Sequence, residues 1–154
     1  MGTGLGGAVV LDAFAGSGAL GLEALSRGAG AAVFVERDPR ALRVLKQNVA
    51  QLEVGPRARV LVGSVEALAR TGVLAGEVFS LILLDPPYRI VASEVRGLIE
   101  TLEAAGSISD GATIVWEHAT AAEPDWPSWV TPLSDRRYGS TTVSIGEAGK
   151  GRTP

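Results

Sequence analysis

Short apolar runs alternate with helix-like stretches along most of this chain. Five of these runs have the length and composition of buried strands: residues 8–12, 32–36, 59–63, 81–84 and 113–117. The stretch after the second run carries apolar residues at helical spacing: Leu42, Leu45, Val49 and Leu52. Helix starts are predicted at Asp38, Ser64 and Ser93, and a helix end at Gly28. Strands that alternate with helices in this way predict a mostly parallel sheet.

The C-terminal part of the chain departs from this alternation. Residues 119–129 contain two prolines and two tryptophans and predict an irregular crossover, with the tryptophans packed against the sheet. Residues 133–138 and 141–145 then flank Gly139-Ser140, which favours a short hairpin. The predicted fold is therefore α/β, a Rossmann-like, doubly wound, mostly parallel sheet with an antiparallel C-terminal hairpin. We expect one domain over residues 1–146, followed by a disordered tail over residues 147–154.

Composition narrows the classes of protein that the chain can belong to. Its 154 residues are 46% hydrophobic, which is ample for the core of a single domain. The absence of cysteine and the single histidine argue against disulfides and against a metal site. No apolar stretch reaches the length of a membrane span and no leader opens the chain, so we expect a cytoplasmic protein with no membrane contact. The formal net charge of −3 is unusual for a protein that binds nucleic acid unaided.

A glycine-rich loop follows the first predicted strand. Residues 16–21 read Gly-Ser-Gly-Ala-Leu-Gly, which matches the pattern G-x-G-x-x-G between a strand and a helix. Glycines let a ligand approach the backbone closely, and the start of the following helix presents backbone N–H groups. The pattern therefore predicts a nucleotide-binding loop rather than a tight turn without a ligand.

Acidic residues at strand ends indicate which nucleotide derivative would bind. Asp12 ends the first strand, three residues intervene between it and Gly16, and its carboxylate would repel a pyrophosphate but attract an ammonium or sulfonium group. Glu36 ends the second strand and is placed to bond both ribose hydroxyls, while Ser64 and Val65 would border an adenine ring. This set favours S-adenosylmethionine over a nicotinamide cofactor.

The run from Leu81 to Leu84 leads directly into Asp85-Pro86-Pro87-Tyr88. Pro86 has no N–H and disfavours helical geometry at Asp85, so the strand must end there in a stiff, extended turn. Ligands of open α/β sheets bind at the carboxyl ends of the strands. We therefore expect this segment to hold the group that reacts.

Several of these segments together resemble the family of guanine-N2 methyltransferases that act on small-subunit ribosomal RNA. The resemblance extends from Val9 to Ile145 and is carried by residues 11–29, 34–38, 85–88 and 136–139. It implies transfer of a methyl group from S-adenosylmethionine to the exocyclic amine of a guanine in ribosomal RNA, within a partly assembled subunit. We also expect a monomer that needs no metal.

The resemblance and the motifs together give three sets of candidate site residues. The catalytic set is Asp85, Pro86, Pro87 and Tyr88. The cofactor-binding set is Asp12, Ala15, Gly16, Ser17, Gly18, Glu36, Arg37, Ser64 and Val65. The substrate-binding set is Tyr88, Arg89 and Arg137, since alternation along a strand would point only one of Arg136 and Arg137 towards the substrate. His118 is expected to be an incidental residue at a strand end rather than a catalytic base.

Family members carry an arginine-rich arm before the first strand, and this chain begins essentially at that strand. The resemblance implies that such an arm contributes much of the RNA contact, which would account for the net charge of −3. Three other functions stay open. One is methylation of another planar nitrogen, in DNA adenine or a protein glutamine. The others are a nicotinamide-dependent oxidoreductase and an RNA chaperone that binds the cofactor without catalysis.

Overall fold

A computed structural model describes residues 5–74 and 76–150. The strands are β1 (Val9–Asp12), β2 (Ala31–Glu36), β3 (Ala58–Val62), β4 (Phe79–Leu84), β5 (Ile108–Ala119), β6 (Val130–Tyr138) and β7 (Thr141–Ala148). The helices are α1 (Ala19–Ser26), α2 (Pro39–Gln51), α3 (Val65–Arg70) and α4 (Ala92–Ala104), and a 3-10 turn covers Gly55–Arg57. No helix among the described residues is long and apolar enough to span a membrane.

The strands form one sheet in the order β3-β2-β1-β4-β5-β7-β6. β1 to β5 pair in parallel, whereas β7 runs antiparallel to both β5 and β6. The predicted fold class, including the C-terminal hairpin, is confirmed. The chain leaves the β3 edge and returns beside β1 as β4, so the direction of strand succession reverses between β1 and β4. Such a reversal opens a crevice at the carboxyl ends of the strands.

Two apolar layers explain why the central strands are continuously hydrophobic. Leu11, Ile82 and Leu84 belong to the layer that includes buried residues of α3 and α4. Val10 and Leu83 belong to the opposite layer, which includes buried residues of α1 and α2. Because both faces of the central strands are covered, their side chains are apolar on both sides rather than alternating.

Several predicted boundaries shift in the structure. β5 begins at Ile108 rather than at residue 113, and β6 begins at Val130 rather than at residue 133. α4 is capped at Val91, whose N–H donates to the Glu94 carboxylate at 3.2 Å, so Ser93 lies inside the first turn and the predicted cap was wrong.

The predicted domain boundary at residue 146 falls inside the last strand. β7 continues through Ala148, which is buried, and the N–H of Gly149 donates to the carbonyl of Trp129 at 2.8 Å. The predicted tail therefore overlaps ordered strand at residues 147 and 148, while residues 151–154 lie outside the described residues.

The expected packing of the tryptophans is confirmed. Trp116 is buried and meets Trp126 edge to face, with ring centroids 5.3 Å apart. Trp129 also packs against the layer formed with α3 and α4. The crossover before β6 is thus anchored by aromatic contacts.

The contact between α1 and β2 yields a stability prediction. A Cβ added at Gly21 would overlap the buried ring of Phe34, whereas a Cβ at Gly97 in α4 would meet no atom within 4 Å. We expect Gly21→Ala to destabilise the protein by about 1–3 kcal/mol through overpacking. Gly97→Ala should stabilise it by about 0.5–1 kcal/mol through helix propensity. Thermal unfolding of the two variants checks this, and a Tm that falls equally in both would contradict the packing argument.

Candidate active site

The carboxyl ends of β1, β2, β3, β4 and β5 surround one cavity of about 1050 Å³. Its wall includes most of the predicted site residues: Gly16, Glu36, Arg37, Ser64, Val65, Asp85, Pro86, Pro87, Tyr88 and Arg89. The structure therefore brings the glycine loop, the second strand end and the Asp-Pro-Pro-Tyr segment to the same space. The sheet reversal between β1 and β4 explains this position.

The other predicted residues lie outside the cavity wall. Asp12 is 2% exposed and lies beneath the glycine loop, where its Oδ2 accepts the N–H of Gly21 at 3.0 Å. Ala15 donates its N–H to the Val35 carbonyl at 2.9 Å, and the Ser17 carbonyl accepts from the Asn48 side chain at 2.9 Å. These contacts hold the loop in place. Whether these residues touch a cofactor stays a prediction.

Arg137 lies on β6, the strand at the sheet edge, and does not reach the cavity wall. Its cross-strand partner is Thr142 of β7, whereas the partner of Arg136 is Val143. Side chains of adjacent residues in a strand point to opposite faces, as expected. A substrate contact by Arg137 would thus be made away from the cavity and stays a prediction.

The glycine loop is shaped to receive carboxylates. Gly16 and Gly18 have φ values of 57° and 85°, in the left-handed region that favours glycine. The Gly16 N–H donates to Glu36 Oε1 at 2.7 Å, and the Gly21 N–H is held by Asp12. Two loop amides of the kind that would bind a pyrophosphate are therefore bonded to acids, which supports the argument against a dinucleotide.

Glu36 is held rigidly at the end of β2. Besides the bond from Gly16, its Oε2 accepts the N–H groups of Arg37 at 3.0 Å and Asp38 at 2.8 Å. An ionised carboxylate offers about four acceptor positions. Three are used here, so the carboxylate is oriented in advance and keeps room for one hydroxyl donor in this arrangement.

Burial makes Asp12 an unusually weak acid. Desolvation raises its pKa to about 6, with smaller upward contributions from the charges of Asp85 and Glu36, while the bond from the Gly21 N–H lowers it. Asp12 is therefore mostly ionised at neutral pH, but at an electrostatic cost. A positive charge nearby would relieve that cost.

The Asp-Pro-Pro-Tyr segment forms the rim of the cavity beside β5. Partial desolvation raises the pKa of Asp85, and a hydrogen bond from the Glu117 side chain opposes that rise. Tyr88 is 79% exposed, so its ring is open to solvent above the cavity. The N–H of Ile90 donates to the Pro87 carbonyl at 2.9 Å, which closes the turn after the prolines.

Sequence reasoning missed Glu117, which also lines the cavity. It lies near the end of β5, next to Asp85, because Leu84 of β4 pairs with Trp116 of β5. The signal was present in the sequence: residues 113–117 end on an acid, like the first and second strands. The cavity wall consequently carries more carboxylates than cations, with Glu36, Asp38, Glu66, Asp85, Glu94 and Glu117 against Arg37 and Arg89.

His118 is a structural link rather than the incidental residue expected. Its Nδ1 bonds the Ala119 carbonyl at 2.8 Å, and its Nε2 bonds Ser144 Oγ at 2.7 Å. Ser144 donates in turn to Asp135 at 2.6 Å, so the three side chains connect β5, β7 and β6. With both ring nitrogens engaged, the imidazole is poorly placed to act as a base.

Comparison with known proteins agrees with this geometry. A family model described as "Conserved hypothetical protein 95" matches residues 1–147. YlbH of Bacillus subtilis, provisionally named an rRNA methyltransferase, is 34% identical over 136 residues, covering 88% of this chain and 73% of YlbH. Ribosomal RNA small subunit methyltransferase D of Escherichia coli K12 is 41% identical over 111 residues, covering 70% of this chain. The match spans 51% of that enzyme, about half of its length.

A solved structure supports the same assignment. YhhF of Escherichia coli, provisionally named a methyltransferase, superposes with a TM-score of 0.83 at 31% sequence identity, over 94% of this chain and 78% of that one. The family resemblance seen in the sequence, to S-adenosylmethionine-dependent methyltransferases of small-subunit rRNA, is confirmed. This chain belongs to the family described as conserved hypothetical protein 95, and is a homologue of small-subunit rRNA methyltransferase D.

Proposed function

We propose that this chain transfers a methyl group from S-adenosylmethionine to the exocyclic N2 amine of a guanine in small-subunit rRNA. The observation that carries the proposal is one shared cavity: the Asp-Pro-Pro-Tyr segment lines the same space as Gly16 and Glu36. The first can hold a planar nitrogen, and the second can hold a nucleoside. The relatives are named as rRNA methyltransferases, which supports rRNA as the substrate. The family resemblance of the sequence supports the guanine amine as the methylated group.

The acidic cavity suits the proposed cofactor, which carries an ammonium and a sulfonium. Glu36 would accept a ribose hydroxyl, Ser64 and Val65 would border the adenine, and the backbone at Gly16 would lie against the ligand. Asp12 would act through its charge beneath the loop. When bound, S-adenosylmethionine supplies an electrophilic methyl group. The residues of this chain bring the nucleophile to it.

Asp85 and Pro86 can make the guanine amine a better nucleophile by accepting its two N–H groups. The lone pair of a guanine amine is delocalised into the ring, which makes the nitrogen a poor nucleophile. The Asp85 carboxylate and the Pro86 carbonyl would each accept one N–H, which fixes the nitrogen and stabilises the positive charge that develops on it. After transfer the nitrogen is acidic and loses a proton to Asp85 or to water, so no strong base is required.

Tyr88 can hold the base itself. Its exposed ring would stack on a guanine turned out of the RNA, a contact worth about 1–3 kcal/mol. Extruding a base costs a few kcal/mol, so stacking offsets a large part of that cost. Arg89 on the rim and Arg137 on β6 would contact RNA phosphates. Because its net charge is −3, the chain would need further contacts to bind rRNA, and a partly assembled subunit would provide them. It would bind that subunit as a monomer.

The product of the reaction tests the proposal. Small subunits from a strain that lacks its own methyltransferase D are incubated with S-adenosylmethionine and this chain. A second reaction uses the chain extended by the N-terminal arm of a family member, and Escherichia coli methyltransferase D serves as the positive control. We expect mass spectrometry of the digested rRNA to find N2-methylguanosine. N6-methyladenosine, or methyl transfer only to protein, would refute the guanine assignment.

Asp85→Asn separates catalysis from cofactor binding. The amide keeps the shape of the side chain but replaces an acceptor oxygen and removes its charge. We expect methyl transfer to fall roughly 100-fold, while the affinity for S-adenosylmethionine, measured by calorimetry, changes little. Asp110→Asn, at the other end of β5, is the matched control and should keep full activity. Equal losses of affinity and turnover in Asp85→Asn would instead make Asp85 a cofactor ligand or a folding residue.

A further inference from the structure

The charged residues of α2 differ from those of the other α-helices in the described part of the chain. Each of the other three has an arginine that is ion-paired with a glutamate one turn away: Arg27 with Glu23, Arg70 with Glu66 and Arg96 with Glu100. α2 instead carries three cations, Arg40, Arg43 and Lys46, and no acid. Their side chains are exposed and have no ion pair or hydrogen bond among the described residues. We call these three residues the α2 basic stripe.

Helix stability does not explain the α2 basic stripe. Residues three apart are neighbours on a helix surface, so the like charges of Arg40, Arg43 and Lys46 repel one another. Arg40 also lies in the first turn, where the helix dipole disfavours a cation. In that turn α3 has Glu66 and α4 has Glu94. The stripe therefore costs the helix stability unless an anion outside the described chain binds to it.

The α2 basic stripe lies next to the cavity. α2 begins at Pro39, which lines the cavity together with Arg37, and the Asn48 side chain donates to the Ser17 carbonyl of the glycine loop at 2.9 Å. A rise of 1.5 Å per residue spreads the stripe over about 9 Å of helix. Residues 37–51 contain four cations and one acid, a formal charge of +3, although the whole chain carries −3. Positive charge is thus concentrated on the helix beside the site.

We propose that the α2 basic stripe binds the phosphate backbone of the rRNA that carries the target nucleotide. The inference rests on the proposed function and identifies a surface that holds the RNA beside the cavity. Cations that neutralise phosphates release counterions, which supplies the sequence-independent part of the affinity for a nucleic acid. Such contacts position the nucleic acid without reading its bases. The stripe therefore anchors the RNA, and selection of the base is left to the cavity.

Two triple variants with the same net charge test the stripe. The stripe variant combines Arg40→Gln, Arg43→Gln and Lys46→Gln. The matched control combines Arg27→Gln, Arg59→Gln and Arg70→Gln, which neutralise three exposed arginines that are ion-paired and lie outside the cavity wall. Binding to small subunits from a strain without methyltransferase D is measured at several salt concentrations. Thermal unfolding confirms that both variants are folded, as expected for glutamine at exposed positions.

The stripe variant should lose affinity for the subunits, whereas the control should not. We expect binding about tenfold weaker or more at about 0.1 M salt, and a slope of log K against log salt that is smaller by about two to three. The affinity for S-adenosylmethionine should stay unchanged, because the three residues do not line the cavity. The control should bind within about threefold of wild type. An equal loss in both variants would mean that only net charge matters, and no loss in the stripe variant would mean that the stripe does not meet the RNA; either result overturns the proposal.

The absence of cysteine allows the molecule that meets the stripe to be identified directly. Gln47→Cys places one attachment point for a photoactivatable crosslinker on the exposed surface of α2, one turn after Arg43. Thr71→Cys, exposed at the end of α3, is the matched control. We expect position 47 to crosslink to rRNA more strongly than position 71. Equal crosslinking from both positions, or crosslinks from position 47 to ribosomal protein alone, would overturn the proposal.

Failure of the proposed function has a different signature. If the wild-type chain binds small subunits through the stripe but leaves guanine unmodified, the guanine assignment fails and the RNA-binding surface stands. If it methylates guanine while the stripe variant binds as tightly as wild type, the surface fails and the function stands. A wild-type chain without measurable affinity for small subunits would overturn the surface, and methylation by the chain that carries the N-terminal arm would still decide the function.

Discussion

In a parallel sheet the carboxyl ends of the strands meet at one edge, and here four neighbouring strands, β2, β1, β4 and β5, each carry an acid at that edge. Glu36 and Asp12 end their strands, Asp85 follows β4, and Glu117 lies near the end of β5. Burial is the main cause that raises the pKa of Asp12 to about 6, and the charges of Asp85 and Glu36 add to that rise. Keeping these acids ionised therefore costs free energy, and a cationic ligand would lower that cost.

Hydrogen-bond donors near these acids partly offset the cost of keeping them ionised. Glu36 is held by three backbone N–H groups, and Asp12 by the N–H of Gly21. Asp85 has no such backbone donor in the following residue, because Pro86 lacks an N–H, and partial desolvation raises its pKa. The glycine loop, which in a dinucleotide-binding protein would hold phosphates, here bonds two carboxylates. The same loop pattern can therefore serve ligands of opposite charge, depending on the acids that meet it.

The sequence predicts the core of this arrangement because its signals are local. Continuous apolar runs identify the strands that both helical layers cover, and Gly16 and Gly18 occur where the backbone needs positive φ. The early part of β5 was missed because Ser109, Asp110 and Gly111 interrupt the apolar pattern, and its pairing with β4 supplies what local propensity lacks. The cap of α4 was misassigned because Glu94 bonds the N–H of Val91, so the helix starts before Ser93.

Contacts between residues that are far apart in the chain could not be predicted from the sequence. Glu117 lies beside Asp85 at the cavity only because of the register of β4 and β5. His118 likewise gains its partners when β7 and β6 fold back, since Ser144 and Asp135 are far along the chain. Arg137 illustrates the opposite case. The sequence predicts that it binds the RNA substrate, but it lies on the edge strand β6, away from the cavity.

The electrostatic account is tested most directly by counting the protons exchanged when S-adenosylmethionine binds at pH 6. Calorimetric titration in buffers of different ionisation enthalpy gives that number. A cation bound among these acids lowers their pKa values, and Asp12 is about half protonated at that pH, so Asp12 should release up to about 0.5 proton per chain on binding. Proton uptake, or no exchange at all, would contradict the claim that the strand-end acids form a site for a cationic cofactor.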